Sequence, residues 1–334
     1  MTIYCALPAL DPLRYERSPL HSDDRIWPEK NCYIDIWIEV LHALGMEPLA
    51  MAPFALALDF EGDQWTFFKP SHDELHELYG VDVQELTVWK PLLEHALEHL
   101  SSGRLISTEA NAFWLPDTAG TDYGRNHVKT TIVINSMDPE SQTLDYFHNA
   151  AYHRLSGQDY RALFRIDATP DLTFLPLYAE FIRVERARKM EPDALARTSC
   201  GLVQKYLGRR PLHNPIQRFG SRFADDLPAL QAKGLDYYHL WAFAGLRQLG
   251  AAFELAALNL RWLESANALS ALESAAAFEM ISSTCKSLVL KGARAVNSRR
   301  PLDIGTPCEM MARSWDRGMQ SLEQAVQATA HMHR

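Results

Sequence analysis

The period of the hydrophobic pattern changes near residue 177, and this change constrains the fold more than any other feature of the chain. Before it, alternating β-branched runs are mixed with apolar residues at helical spacing. After it, the sequence predicts helices alone, at 177–190, 192–207, 227–249, 251–269, 273–296 and 314–332. We therefore predict an α+β domain with a largely antiparallel sheet over residues 1–176, followed by an all-helical bundle over residues 177–334.

A well-marked helix start lies in the first half, at Cys32. Asn31 is a good N-cap, apolar residues recur at helical spacing over 32–44, and Gly45 predicts the stop. Cys32 would then lie in the first turn, where unpaired N–H groups and the positive end of the helix dipole favour a thiolate. Structural cysteines are more often buried in the middle of an element. The position of Cys32 therefore makes it a candidate nucleophile.

A β-hairpin is predicted farther along the first half. Residues 127–134 alternate and are rich in β-branched side chains, 135–141 contain turn residues, and 143–149 fit a return strand. The other elements predicted in this half are strands at 54–60, 64–69 and 104–109 and helices at 72–79 and 91–100.

The predicted hairpin brings a histidine to an amide. A turn centred near Asp138 places His127 opposite Asn149, with Cβ atoms about 5 Å apart. A slip of one residue would present His148 or Ala150 instead. A Cys on a helix N-terminus, a His on a strand and an Asn that orients the His form the papain-type constellation. Taken singly, a histidine at a strand start is more often a polar surface residue or a satisfied hydrogen-bonding group than a base, and Asn149 could simply end its strand.

Four segments of the chain resemble an uncharacterised bacterial family, domain of unknown function 1839. These segments are 31–35, 59–69, 115–123 and 146–150. More distantly, the first half resembles the papain-like N-terminal domain of the BtrH-type acyltransferases of butirosin biosynthesis. Those enzymes move an acyl group from a carrier-protein thioester to an amine. The resemblance implies Cys32 as nucleophile, His127 as base and Asn149 in the acid position.

One departure from the papain-type pattern concerns the oxyanion hole. Papain-type enzymes usually carry a Gln a few residues before the Cys, and residues 25–30 contain none. Asn31 or backbone N–H groups would have to serve instead. Lys69, Asp117, Asp122 and Tyr123 are further candidates for the substrate pocket, although Asp117 and Asp122 are also ordinary turn residues.

Metal chemistry is not indicated. His72 and His76 share one helix face, as do His95 and His99, but neither pair forms the HExxH pattern. Five cysteines without a CxxC pair argue against a zinc ribbon and a disulfide framework. We predict no metal and no cofactor beyond the phosphopantetheine of a partner carrier protein.

Charge and hydropathy restrict the partners. The net charge of −9 argues against nucleic acid and anionic membranes. The start of the chain lacks the pattern of a signal peptide, and no apolar run is long enough to span a membrane, so a cytoplasmic protein is expected. Residues 183–210 nevertheless carry eight Lys and Arg against three Asp and Glu, a local net charge of +5. Arg186, Arg188 and Lys189 are candidates for docking an acidic carrier protein, the alternative being a solvated helix face.

The sequence therefore predicts a cysteine-dependent acyl or aminoacyl transferase. It would move the acyl group from a carrier-protein thioester to a small-molecule or peptide amine through a Cys32 acyl-enzyme. Two alternatives remain open: a cysteine hydrolase or peptidase of the same fold, and a non-catalytic binding protein.

Overall fold

The computed structural model describes residues 3–8, 10–169 and 177–332. The chain forms two compact units whose segments interleave along the sequence. The first unit contains Met1–Ser22, Asn31–Glu47 and Ser71–Lys189, and the second contains Asp23–Lys30, Pro48–Pro70 and Met190–Arg334. The predicted boundary between residues 176 and 177, drawn as a single cut, stays a prediction.

The regular elements follow the chain in this order. The strands are β1 (Tyr4–Cys5), β2 (Phe60–Glu61), β3 (Gln64–Trp65), β4 (Asp82–Glu85), β5 (Arg104–Asn111), β6 (Lys129–Asp138), β7 (Thr143–His148), β8 (Ala151–Ser156) and β9 (Ala179–Arg183). The helices are α1 (Cys32–Ala43), α2 (His72–Tyr79), α3 (Leu92–Ser101), α4 (Gln158–Leu163), α5 (Pro192–Leu207), α6 (Pro215–Lys233), α7 (Leu235–Ala242), α8 (Gln248–Ser265), α9 (Leu272–Ser298) and α10 (Gly305–Met332).

An antiparallel sheet forms the framework of the first unit. Among the described residues it has seven strands, in the order β4-β9-β5-β6-β7-β8, with β1 added to β6. Every neighbouring pair is antiparallel. The predicted α+β class is confirmed, since an antiparallel sheet in the N-terminal region is followed by an all-helical C-terminal region that begins with α5. The papain-like character of the first half stays a prediction.

The two faces of this sheet are covered by different helices. On one face, Ile132, Ile134 and Tyr146 join a core with residues of α3 and α4. On the other, α1 packs against β6, β7 and β8. Phe147 points to this second side, where its ring meets that of Tyr15 at a centroid distance of 5.9 Å. We call this second side the α1 face. Val133 pairs with Phe147 and therefore lies on the α1 face. Because side chains alternate along a strand, the odd-numbered residues of β6 that precede Val133 lie on this face as well.

The second unit is a helical bundle. Phe253 of α8 packs against Phe278 of α9, with ring centroids 5.1 Å apart. The early segment Asp23–Lys30 is fixed to this bundle, because the Glu254 carboxylate accepts hydrogen bonds from the backbone N–H groups of Ile26 and Trp27 at 3.0 and 3.3 Å. No helix in the described part of the chain is both long and apolar enough to cross a membrane.

Two element predictions were wrong in type, and the single helix predicted at 227–249 is divided at Gly234 between the end of α6 and α7. The helix predicted at 177–190 contains β9 instead, which lies between β4 and β5. Its partners are far away in sequence, and local spacing carries no information about them. The strand predicted at 54–60 is mostly part of a 3-10 helical segment, Pro48–Ala57. That segment is almost fully buried, and a short apolar run does not distinguish a buried strand from a buried helix.

Candidate functional site

Cys32 is the first residue of α1, as predicted. The Asn31 side chain caps the helix by accepting a hydrogen bond from the Ile34 N–H at 2.9 Å. Nearly all later residues of α1 are buried, whereas Cys32 is only partly buried. A capped helix start leaves the first N–H groups and the positive end of the dipole near the sulfur. The Cys32 thiol is therefore partly exposed at the N-terminal end of the helix, where reagents and substrates can reach it.

Lys129 places a cation near Cys32. Its Nζ lies 2.8 Å from Glu109 Oε1, and this hydrogen bond is the main cause of the raised pKa of Lys129. The charge of an ionised Cys32 is a further cause, which requires that the sulfur and the ammonium group lie within range of each other. Lys129 pairs with Asn111 across the ladder. The start of β6 therefore lies beside the end of β5, and its Lys129 lies within electrostatic range of Cys32 at the start of α1.

His127 lies beside the end of β5, two residues before β6, and is exposed. Its ring stacks on Phe113, with centroids 4.4 Å apart and 8° between the planes. Its Nδ1 is 2.8 Å from Asn111 Nδ2. Asn111 Oδ1 accepts a hydrogen bond from the Phe113 N–H at 3.1 Å, which fixes the orientation of the amide. Nδ1 of His127 therefore accepts, and the neutral ring carries its proton on Nε2.

The predicted pairing of His127 with Asn149 was wrong. Asp138 is still part of β6 and pairs with Thr143, so the turn comes later than expected, and a register shift follows Ile134. Val133 pairs with Phe147, which places Asn149 well along the hairpin from His127. Asn149 itself has a φ of 47° in the tight turn between β7 and β8. Asn is one of the few residues that tolerate this left-handed conformation, so the turn alone accounts for it.

His148 lies on the other side of the sheet. Like Tyr146 it points away from the α1 face, and its Nδ1 is 2.5 Å from Asp117 Oδ2 while its Nε2 is 2.8 Å from Thr130 Oγ1. Although burial opposes ionisation of Asp117, the hydrogen bond with His148 holds the pKa of that carboxyl below its usual range. Tyr146 also donates to Asp117, at 2.5 Å. Asp117 thus belongs to a buried network away from Cys32.

A polar cluster next to Cys32 was not predicted. The Tyr33 hydroxyl lies 3.0 Å from His72 Nε2, and His72 Nε2 lies 3.2 Å from Glu180 Oε1. Glu180 is buried and also accepts a hydrogen bond from the Tyr178 hydroxyl at 2.8 Å. It pairs with Ser107, two residues before Glu109, so both carboxylates lie on the same sheet face. Sequence reasoning missed Glu180 because it missed β9.

The remaining predicted site residues are dispersed. Asp122 Oδ1 accepts a hydrogen bond from Asn126 Nδ2 at 3.3 Å, within a turn. The Tyr123 hydroxyl donates to Asp159 at 2.8 Å. Lys69 is exposed and belongs to the second unit. Their proposed roles stay predictions. The docking candidates are all exposed: Arg186, Arg188 and Lys189.

Burial suppresses the other thiols. It raises the pKa of the Cys5 thiol, that of Cys200 to about 11 and that of Cys308 to about 12. Cys285 is fully enclosed, and burial raises its pKa well above the ordinary value. Since the thiolate is the reactive form, these four thiols are poorly suited to nucleophilic chemistry near neutral pH.

The predicted histidine pairs have other contacts. His72 meets Tyr33 and Glu180, and His99 stacks on Phe181 with ring centroids 5.1 Å apart. Within residues 3–8, 10–169 and 177–332, no group of three His, Cys, Asp or Glu side chains could hold a metal ion. The absence of a metal stays a prediction.

Two family models match the chain. The DUF1839 N-terminal domain matches residues 16–184, and the DUF1839 C-terminal domain matches residues 192–324. The chain therefore belongs to the DUF1839 family, as the sequence segments indicated. No curated protein matches it.

Proposed function

We propose that this DUF1839 family member is a cysteine-dependent acyltransferase that moves an acyl or aminoacyl group from a carrier-protein thioester to an amine. The observation that supports this most is the position of Cys32: partly exposed, first in a capped helix, and near Lys129. A nucleophilic cysteine requires an accessible thiolate with positive potential around it. The logic is that of papain-type enzymes, in which a helix carrying the Cys packs on a sheet carrying the His.

In the first step, the Cys32 thiolate attacks the thioester carbonyl. A bond forms between the Cys32 sulfur and the acyl carbon, and the bond from that carbon to the pantetheine sulfur breaks. The leaving thiolate takes a proton from the imidazolium of His127, which had received it from Cys32. Two backbone N–H groups of the first turn of α1, those of Cys32 and Tyr33, are the proposed oxyanion donors. The side-chain oxygen of Asn31 is an acceptor and caps Ile34, so the oxyanion role predicted for Asn31 would have to come from its Nδ2 group.

In the second step, an amine attacks the acyl-enzyme. A carbon–nitrogen bond forms, the bond from the acyl carbon to Cys32 breaks, and His127 accepts the amine proton. In the resting arrangement Nδ1 of His127 accepts the Asn111 N–H at 2.8 Å, and this hydrogen bond must break when Nδ1 takes a proton. In our proposal Asn111 therefore orients the neutral ring before each proton transfer and does not hold the imidazolium.

The test is acylation of the native chain by thioesters. We expect a panel of acyl and aminoacyl carrier-protein thioesters to include a donor that adds one acyl mass to the intact protein. The adduct should persist until an amine is added, and should then be lost with formation of an amide. Loss of the adduct in water alone would identify a hydrolase instead. Failure to acylate with every donor would support a binding protein and contradict the proposal.

We also propose that an acidic carrier protein docks at Arg186, Arg188 and Lys189. These exposed residues follow β9, and their segment is held by the hydrogen bond from the Arg188 N–H to the Tyr79 carbonyl at 2.9 Å. Reversing all three charges to Glu should raise the KM for a carrier-bound donor about tenfold, since rim charges mainly speed association. The reaction with a small acyl-N-acetylcysteamine thioester should be unchanged.

A matched control reverses three exposed charges elsewhere, Lys291, Arg294 and Arg299, which changes the net charge by the same amount. The control should leave the KM for the carrier-bound donor near the native value. Added salt should reduce the difference between the two variants, because the Debye length falls to about 3 Å at 1 M. An equal rise in KM for both variants, or for both donors, would refute the docking site.

A further inference from the structure

A cavity of about 410 Å³ lies within the second unit, where the early segment Asp23–Lys30 packs against α8 and α9. Its volume is in the range of small-molecule binding sites. The side chains of its wall that bear on a ligand are Arg25, Glu254, Ala257, Leu258, Ala276 and Met280. The cavity thus offers a cation and a carboxylate beside an apolar wall, and no step of the proposed acyl transfer uses it.

Arg25 has an unsatisfied donor at this cavity. Its Nε is buried and has no hydrogen-bond partner in the described part of the chain. The Nε atoms of Arg104 and Arg247 also lack such a partner, but each of those guanidinium groups forms an ion pair, with Glu185 and with Glu29. A buried donor left unpaired costs free energy, so an acceptor that entered the cavity would stabilise Arg25. A carboxylate matches the planar guanidinium best.

Glu254 makes a simple anion a poor ligand. Its side chain is 6% exposed and lies within electrostatic range of Arg25. Each of its oxygens accepts one backbone N–H, at 3.0 and 3.3 Å, and keeps a further lone pair. Burial raises the pKa of the Glu254 carboxyl, so a cation that reached the carboxylate would be favoured. The other carboxylate on α9 at this wall, that of Glu279, is already paired with Arg261.

The rest of the wall selects the body of the ligand. Ala257 and Leu258 of α8 and Ala276 and Met280 of α9 present apolar groups, which favour an apolar side chain. Because Arg25 and Glu254 lie within electrostatic range of each other, the two charged groups of a ligand that meets both must also be close together. An α-amino acid carries its carboxylate and its ammonium group on one carbon atom.

We propose that this cavity binds a free α-amino acid with an apolar side chain. The ligand carboxylate accepts a hydrogen bond from Arg25, the ammonium group donates to Glu254, and the side chain packs on the apolar wall. The inference goes beyond the proposed acyl transfer and does not depend on it, because binding at this cavity requires no acyl donor and no reaction at Cys32.

The test is calorimetric titration of the full chain with L-leucine, L-methionine and L-phenylalanine. We expect at least one of them to bind with a Kd on the order of 0.1 mM or lower. The matching amine without a carboxylate and the matching acid without an ammonium group should each bind at least about tenfold more weakly, because each leaves one charged group of the cavity unpaired. No binding by any of the three amino acids, or equal binding by the amine and the acid, would overturn the proposal.

Arg25→Met tests the cation. It keeps an unbranched apolar side chain and removes the guanidinium, so it should weaken amino-acid binding at least about tenfold. Arg222→Met is the matched control, because Arg222 is exposed, pairs with Asp226 on α6 and does not line the cavity. The control should bind like the native chain. Native affinity in Arg25→Met, or an equal loss in both variants, would refute the role of Arg25.

Ala276→Phe tests the location. Ala276 lines the cavity but is exposed, so a larger side chain there can occupy the space without overpacking the core. Amino-acid binding should be lost. Ala232→Phe makes the same change at an exposed position of α6 that does not line the cavity, and should bind like the native chain. Native affinity in Ala276→Phe would place the bound amino acid elsewhere and overturn the proposal.

Glu254→Gln tests the carboxylate by a change of specificity. It removes the negative charge and keeps a side-chain oxygen for the backbone N–H groups. The amino acid should bind more weakly than to the native chain, and the acid without an ammonium group more tightly, because the repulsion of its carboxylate is removed. A purely structural role of Glu254 would weaken both and would contradict the proposal. If Glu254→Gln does not fold, the variants of Arg25 and Ala276 decide.

Discussion

The Cys32→Ala protein should keep its unmodified mass with an acyl-carrier thioester that acylates the native chain. The mechanism has one covalent intermediate, on the Cys32 sulfur, and alanine has no nucleophile to replace it. We expect the rate of amide formation to fall by a factor on the order of 10⁴ or more, since removing a nucleophile removes the whole catalytic unit. Intact-protein mass spectrometry and amide formation measure the two effects.

Cys5→Ala is the matched control for this experiment. Cys5 is also partly buried and lies in β1, where it pairs with Ser136. Its replacement makes the same chemical change and should leave acylation intact. Acylation that persists in Cys32→Ala and disappears in Cys5→Ala would transfer the nucleophile role to β1.

His127→Ala should reduce acylation about 10²–10⁴-fold, the range typical of a general base. The hydrogen-bond partner of His127 identifies Asn111, rather than Asn149, as the amide of the site. Asn111→Ala should reduce the acylation rate about tenfold, because it removes a hydrogen bond that orients the resting imidazole. Phe113, which stacks on the ring, would still hold the imidazole plane. Single-turnover acylation rates measure both changes.

Asn149 provides the contrasting case. Asn149→Gly keeps a residue that accepts the φ of 47°, so the turn and the acylation rate should both be preserved. Asn149→Ala should lower the melting temperature, because the left-handed conformation costs alanine about 1–2 kcal/mol, and should leave the acylation rate of the folded protein unchanged. A large loss of acylation in Asn149→Gly would restore Asn149 to the acid position and refute Asn111.

What the sequence revealed was local. The N-cap of Asn31 and the helix from Cys32 depend on neighbouring residues, and the structure confirms both. The helix predicted at 72–79 is also confirmed, with Ser71 and Glu74 forming its capping box. In each case the stabilising contacts are made within a few residues, so the pattern itself contains the information.

What the sequence did not reveal depends on register and on distant partners. The meeting of Asn111 with His127 requires the pairing of β5 with β6, and no local pattern specifies which residues of two strands face each other. Glu180 could be found only through β9. The hairpin itself was recognised, but its turn was placed too early, because Asn135, Ser136 and Asp138 resemble turn residues while forming part of β6.

The late position of β9 in the chain affects how the first unit can be assembled. Its five residues, Ala179–Arg183, join β4 to β5, which have no direct pairing with each other. During synthesis, the backbone groups at the facing edges of β4 and β5 have no β-strand partner until the residues of β9 leave the ribosome. Exposed strand edges promote association between chains, so a nascent or truncated polypeptide that stops short of Ala179 would be prone to aggregate. Inclusion-body formation should therefore be greater for a truncation that ends before Ala179 than for one that ends just after Arg183.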